Sequence, residues 1–595
     1  MKSWPLFLVS VLSLGVLLSA CEPKQEAAQD EPAEYNFEEF LEGLGGSTRT
    51  HWTASEPAGN GAPPVDAEML ANPYASSERW LHYAGDYRGY RHSPIDSLTP
   101  ESVKDLRVAW GFGPGTQRQF AVSPIVYDGV MYVTTTYNRL IALDAGSGEI
   151  LWRYDHQLPD NLRYCCGPAN RGASIHGDYI FMGTLDAKLL AFDRKTGEVA
   201  WEIEVAPYQD GIAITSAPLV LDDRLIVGIG GGEFGVRAFF DAYDVETGER
   251  LWRHFTVPKE GEPGVETWAG DSWKRGGAPT WNPGAYDAAT DTLYWATGNP
   301  GPDFVGSLRE GDNLYADSVL AVDARTGERK WHFQFTPHNI WDYDGNTQLF
   351  LVDIERDGKP VKAIVQANRN GYFYILDRET GAFLGAEPFA EKLNWATIDA
   401  TGRPVVSENA QNIDGEHTLV CPGVQGGMNA STTGAFNPRL GLAFVPVIES
   451  CATYEIAEPE FVKGLPYLGG LVTFDSDNAY GALSAIDVSN GSVRWRHRDK
   501  AGLMGGVLST AGGTVFTGNL AGEILAFDAS SGERVWSFRA DSGIRGQPIA
   551  YELDGATYVA VPTGRYPGGE VFMFGDSSVS GSAQLYVFRL EDRSS

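Results

Sequence analysis

The sequence predicts an all-β repeat architecture of the propeller or solenoid kind. A phrase of the form Asp, two residues, Ser/Thr/Asn-Gly, often Glu, two residues, Trp returns along the chain. Alternating apolar strands such as 140–143 and 524–527 precede the copies. The 70 glycines, 16 tryptophans and 26 tyrosines favour turns and aromatic-packed strands over helices. Two strands around an Asp/Gly turn, with a tryptophan packing on the next unit, form a module that must stack to bury its faces.

Taken in order, the 595 residues open with a targeting segment. Lys2 precedes a largely apolar stretch from Trp4 to Leu18, followed by Ser19-Ala20-Cys21. A short apolar run ending in small residues reads as a signal peptide over 1–20, not a membrane span. The cysteine right after it looks like a bacterial lipobox, which makes Cys21 the lipidated N-terminus; ordinary cleavage nearby is the alternative. Either way the folded part lies outside the cytoplasm, in the periplasm, where disulfides persist. Residues 21–77 read as an acidic tether and N-terminal extension, and 78–592 as the repeat domain.

The repeat then runs through Asp144 to Trp152, Asp193 to Trp201, Asp244 to Trp252 and Asp323 to Trp331. A copy without tryptophan spans 377–381, and two more run Asp487 to Trp495 and Asp528 to Trp536. An eighth unit arises if 98–110, ending in Trp110, is completed by the last strand at 585–590. Strands from both ends then close a ring and protect the sheet edges. The first four tryptophans of the phrase are spaced by 49, 51 and 79 residues. Such insertions mark loops on one face, often the functional one.

A net charge of −32 excludes nucleic acid as a partner, because phosphate binding needs a basic face. An acidic surface suits a basic protein partner, or simply solubility. No CxxCH occurs, so this chain carries no covalent c-type haem. Cys165 and Cys166 are adjacent. A bridge between neighbours closes almost no loop and forces a strained ring, so it suggests the stiff wall of a site; two buried thiols are the alternative. If Cys21 carries lipid, the other four cysteines suit one vicinal bridge and one from Cys421 to Cys451.

The turn phrase, the adjacent cysteines and Trp341-Asp342-Tyr343-Asp344 together resemble the pyrroloquinoline quinone-dependent alcohol dehydrogenases, the family of the quinoprotein methanol and ethanol dehydrogenases, over about 79–590. The resemblance implies an eight-bladed β-propeller and oxidation of a small alcohol to an aldehyde or ketone. It implies a Cys165–Cys166 disulfide against one face of the quinone and Trp281 stacked on the other. Arg171 would pair with a cofactor carboxylate, with Thr215, Gly231, Gly232, Arg369 and Asn429 as further cofactor contacts. Glu233, Asn299, Asp342 and Asp344 would hold one metal ion through hard oxygen ligands. Asp342 would be the catalytic base and Arg369 the cation beside the reactive carbonyl, with hydride passing to the quinone C5. Electrons would leave for a separate soluble cytochrome c. Calcium-type members usually carry a small neutral residue where Asp344 stands, and lanthanide-type members an aspartate. A trivalent ion favours one more carboxylate, so the resemblance points to La³⁺ or Ce³⁺ rather than Ca²⁺.

The chain departs from the family pattern in places. The cofactor-contact glutamate is missing from 119–124, Ala430 replaces a tryptophan, Met504 replaces an aromatic, and a late tryptophan is absent near Gly564. These losses surround the cofactor and the substrate funnel, and are consistent with a wider pocket. Two other readings stand beside the enzyme: a non-catalytic propeller lipoprotein that scaffolds outer-membrane assembly, and a degenerate homologue that binds the quinone without turnover. The first leaves the adjacent cysteines, the Trp-Asp-Tyr-Asp phrase, Asn299 and Arg369 unexplained.

Overall fold

The structure is a computed structural model. It describes residues 51–53, 58–116, 119–356, 358–411, 415–565, 573–574 and 581–590. The leader at 1–20, Cys21 and most of the tether lie outside the described residues.

Eight four-stranded antiparallel units are arranged as the blades of a propeller. Blade 1 consists of Ile125–Tyr127, Val130–Thr135, Arg139–Asp144 and Ile150–Asp155. The first strands of blades 2 to 7 are Ser174–His176, Leu219–Leu221, Ala285–Asp287, Phe350–Arg356, Ala435–Asn437 and Leu508–Thr510. Blade 8 combines Ile549–Leu553, Ala556–Thr563 and Gln584–Leu590 with Leu106–Phe112 from near the start of the chain. Ring closure by both ends is therefore present, and it leaves no open edge between the first and last blades. First strands such as Ile125–Tyr127 are buried throughout, whereas fourth strands such as Val199–Glu204 alternate between exposed and half-buried positions. That gradient sets the first strand of each blade at the inside and the fourth at the rim.

The repeated phrase has a physical role that most of its copies share. Asp144 Oδ1 accepts the backbone N–H groups of Gly146 and Ser147 at 3.0 and 2.8 Å, closing the turn locally. The tryptophan of one blade then donates Nε1–H to the residue after that aspartate in the next blade. Trp152 reaches Arg194 O at 3.0 Å, Trp252 reaches Ala324 O at 3.2 Å, and Trp495 reaches Ala529 O at 3.0 Å. Trp110 of blade 8 makes the same bond to Ala145 O of blade 1, at 3.2 Å, so closure uses the repeat's own contact. The turn glycine is required twice over. Gly148 has φ +78°, and a Cβ there would lie 2.4 Å from the Trp110 ring.

Of the segment 21–77, residues 58–70 pack on blades 1 and 2. Val65 exchanges backbone hydrogen bonds with Gly177, and Arg194 donates to Ala62 O at 2.9 Å and to Asp128 at 3.2 Å. Ala58, Val65 and Leu70 are buried there.

Candidate active site

In an antiparallel blade, the start of the first strand and the end of the second lie at one rim. The Asp/Gly phrase, between the third and fourth strands, lies at the other. Arg171, Thr215, Trp281, Asp342, Asp344 and Asn429 all precede first strands. Glu233, Asn299 and Arg369 all follow second strands. The long insertions at 297–317, 389–434 and 450–479 leave from the same rim. The topology thus gathers these residues at one end of the ring, although up to 258 positions separate Arg171 from Asn429.

Three of the expected cofactor residues form a cradle. The Arg171 guanidinium donates from Nη1 to Thr215 Oγ1 at 2.8 Å and lies 4.7 Å above the Trp281 ring. Arg171 N–H also bonds Thr215 O at 3.0 Å, so blades 2 and 3 are locked together at this point. Burial lowers the Arg171 pKa and its Nε has no partner among the described residues, so the group is open to an anion.

Next to it stands the acidic group. Arg369 Nη1 bonds Asp344 Oδ2 at 2.6 Å and Asp342 O at 3.0 Å, and lies 3.7 Å from Asp342 Oδ1. Burial works against the Arg369 charge, but Asp344 and Asp342 outweigh it and hold its pKa above the ordinary value. Burial, reinforced by Asp344 and Glu233 and only partly offset by Arg369, pushes the Asp342 carboxyl well up. Burial, with Asp344 adding, also raises Glu233. Asp342 holds φ +57°, a left-handed backbone that a non-glycine residue rarely adopts. The loop is braced from behind. Asp317 accepts Gly345 N–H at 3.0 Å and Asn339 Nδ2 at 2.8 Å, and Tyr343 Oη donates to Pro422 O at 2.7 Å.

Glu233 sits in a short 3₁₀ turn, Gly232–Phe234. Gly231 is at φ +115°, and a Cβ there would meet Gly211 O at 2.6 Å, so this loop is built to approach closely. The Glu233 carboxylate and the sulfurs of Cys165 and Cys166 lie within 4.8 Å of one another. The adjacent cysteines and the metal candidates thus share one place. Asn299 is 3% exposed, and among the described residues neither its Nδ2 nor Asp344 Oδ1 has a hydrogen-bond partner. Crowded carboxylates and orphaned buried oxygen and amide groups are the arrangement a hard cation relieves, so the donor set fits Ca²⁺ or a lanthanide. Asn429, 2% exposed, lies farther round, bonded to Gln425 and Ser431.

The sulfurs of Cys165 and Cys166, the pair expected to bridge, lie 2.6 Å apart, close to the about 2.05 Å of a disulfide. Cys166 is held at φ +66° and the Cys165 side chain lies against Glu233. Cys421–Cys451 is a disulfide across 30 residues, pinning the 389–434 insertion to blade 6. Sequence reasoning missed Asp303, Asp317 and Arg309, all buried beside the metal candidates. Asp303 lies only four residues beyond Asn299, and that proximity was the available signal.

Residues 80–391 match the family model "Glucose/ethanol/alcohol dehydrogenase, beta-propeller domain", and 479–565 match "Outer membrane protein assembly factor BamB". The chain is 41% identical over 515 residues to the quinoprotein alcohol dehydrogenase PedH of Pseudomonas putida, spanning 82% of this chain and 86% of that one. It is 34% identical to the lanthanide-dependent methanol dehydrogenase of Methylacidiphilum fumariolicum, spanning 82% and 84%. A solved europium-containing methanol dehydrogenase superposes with a TM-score of 0.82 at 32% identity, covering 88% of this chain and all of that one.

Proposed function

The chain belongs to the pyrroloquinoline quinone-dependent quinoprotein alcohol dehydrogenases and is an enzyme of that kind; on that premise we propose that it oxidises an alcohol in the periplasm with a lanthanide ion rather than Ca²⁺. The observation that carries this reading is the buried Arg369 guanidinium held between Asp342 and Asp344 beside Glu233.

When bound, the quinone supplies a two-electron acceptor and the metal a Lewis acid. Glu233, Asn299, Asp342 and Asp344 hold the ion, and the second aspartate matches a trivalent charge. Arg171 pairs with a carboxylate of the quinone, Thr215 orients that guanidinium, and Gly231, Gly232 and Asn429 line the cradle. Trp281 and the sulfurs of Cys165 and Cys166 flank the flat ring system. Asp342 is the base: its carboxylate takes the proton from the substrate hydroxyl. Arg369 stabilises the negative charge that develops beside it.

Electrons leave to a separate cytochrome c, since the sequence offers no haem attachment motif, and the net charge of −32 favours a basic partner. Lipid on Cys21 anchors the enzyme to the membrane, and 78–592 form its catalytic domain. The test is reconstitution of the purified protein with quinone and either La³⁺ or Ca²⁺, followed by dye reduction with a panel of alcohols. Turnover with La³⁺ well above that with Ca²⁺ supports the reading. Bound quinone without turnover refutes catalysis, and activity with Ca²⁺ alone refutes the lanthanide assignment.

A further inference from the structure

Asp303 is a carboxylate at this rim to which the mechanism gives no task. It is 2% exposed, and its Oδ1 has no hydrogen-bond partner among the described residues. Buried polar atoms are almost always satisfied, so an orphaned one marks a place where a donor belongs. The buried cation beside it, Arg309, is spent elsewhere. Arg309 donates Nε–H to Pro302 O at 2.9 Å and Nη1–H to Asn313 Oδ1 at 2.8 Å. Its Nη2 donates to the carbonyls of Asp303 and Asn339, at 2.9 and 2.6 Å. The guanidinium therefore clamps the backbone of residue 303 to that of residue 339, three positions before Asp342, and leaves the Asp303 carboxyl unclaimed.

On its other side the same loop packs on the turn that carries Glu233. A Cβ at Gly301 would lie 3.3 Å from Gly232 O. Phe304 stands against Tyr454, with ring centroids 5.6 Å apart, and Tyr454 Oη reaches Trp341 O at 3.4 Å. Asp303 is thus fixed between the Glu233 and Asp342 segments. The set Glu233, Asn299, Asp342 and Asp344 already supplies the metal's ligands.

We infer that Asp303 selects the substrate, accepting a hydrogen bond from a second donor group on the carbon next to the reacting carbinol while the reacting hydroxyl meets Asp342. The preferred substrates are then vicinal diols or 2-amino alcohols rather than simple alkanols. A bare alkyl group at this position leaves the carboxyl unpartnered, and a site built for a donor rejects analogues that lack one. The inference rests on the reading of the site given above.

The test uses the holoenzyme loaded with quinone and La³⁺. kcat/KM is measured for 1-propanol, 1,2-propanediol and 2-aminoethanol, in wild type, Asp303→Ala and Asp303→Asn, with La³⁺ content and quinone absorbance recorded for each. Wild type is expected to favour at least one donor-bearing substrate over 1-propanol by tenfold or more. Asp303→Ala is expected to abolish that preference through KM while quinone and La³⁺ stay bound. Asp303→Asn separates the two donors, because an amide oxygen still accepts from a hydroxyl but no longer attracts an ammonium. If Asp303→Ala does not fold, the near-isosteric Asp303→Asn and the wild-type preference decide the matter. A wild type without preference overturns the inference, as does a preference that survives in Asp303→Ala. Loss of La³⁺ from Asp303→Ala also overturns it and makes Asp303 a metal ligand. In those cases turnover of 1-propanol leaves the dehydrogenase reading intact; no turnover of any alcohol with quinone bound refutes that reading itself.

Discussion

Replacing Asp344 by alanine should move stability and ion preference by calculable amounts. Asp344 Oδ2 lies 2.6 Å from Arg369 Nη1, and the two side chains are 10% and 4% exposed. Truncation leaves a buried guanidinium whose remaining carboxylate, Asp342 Oδ1, is 3.7 Å away. Breaking a buried pair from one side costs roughly 3–5 kcal/mol, and the surviving Asp342 contact puts this case near about 3 kcal/mol. The ion feels the change in proportion to its charge. One carboxylate at about 4 Å and an effective dielectric of about 20 attracts each unit of ion charge by about 4 kcal/mol. A trivalent ion therefore loses about 4 kcal/mol more than a divalent one, up to roughly 10³-fold in relative affinity. The assay is denaturant unfolding of the metal-free protein, together with La³⁺ and Ca²⁺ titrations, for Asp344→Ala and Asp344→Asn. The expected result is lower stability and a La³⁺/Ca²⁺ affinity ratio reduced by at least about 10²-fold, on the same Coulomb reasoning. Lost stability with an unchanged ratio would refute the ligand assignment and leave Asp344 as a structural partner of Arg369.

Three further outcomes follow from the same geometry. Asp342→Asn should lower kcat by roughly 10²–10⁴-fold while quinone absorbance is retained; loss of the quinone instead would make Asp342 a cofactor contact only. Trp152→Ala should destabilise the propeller by about 3–5 kcal/mol, because the side chain is fully buried and bonds the next blade through Arg194 O; Trp152→Phe should lose less, as read by urea midpoints. Acid should weaken the fold through His82 and His92, both buried and both pushed down to about 4, His82 by burial and His92 by burial and then Arg439. Each stays neutral when folded and takes a proton when unfolded, so its stability is complete above about pH 6.5 and falls as pH drops towards 4. The loss reaches at most about 3 kcal/mol per histidine. His82→Gln should flatten the pH dependence of the urea midpoint, and an unchanged dependence would show that His82 does not contribute.

Much of the fold was legible because the repeat is local. The Asp144 carboxylate bonds N–H groups two and three residues ahead, and the glycine and tryptophan follow at fixed offsets. The pairing of 106–112 with 584–590 was also within reach, since a ring needs its last edge covered. The Cys421–Cys451 bridge followed from counting. The Cys165–Cys166 pair was legible as a feature, but not that Glu233, 67 positions beyond Cys166, comes within 4.8 Å of both sulfurs. Asp303 was not singled out at all. Nothing in its neighbours along the chain tells that Arg309 spends its donors on carbonyl oxygens and leaves the carboxyl without a partner.

By itself, then, the sequence determined the blade, its turn chemistry and the family to which the chain belongs. These depend on residues within one strand–turn–strand span, where covalent spacing fixes who can meet. The tertiary structure decided which side chains share a site. Closing eight blades into a ring brings every first-strand start and second-strand end to one rim, so Arg171 comes to lie over Trp281 and Arg369 between two aspartates. Burial at that rim removes water from five carboxylates at once, those of Glu233, Asp303, Asp317, Asp342 and Asp344. Their pull on a cation and the unmet need of Asp303 arise from that shared desolvation, which no single segment contains.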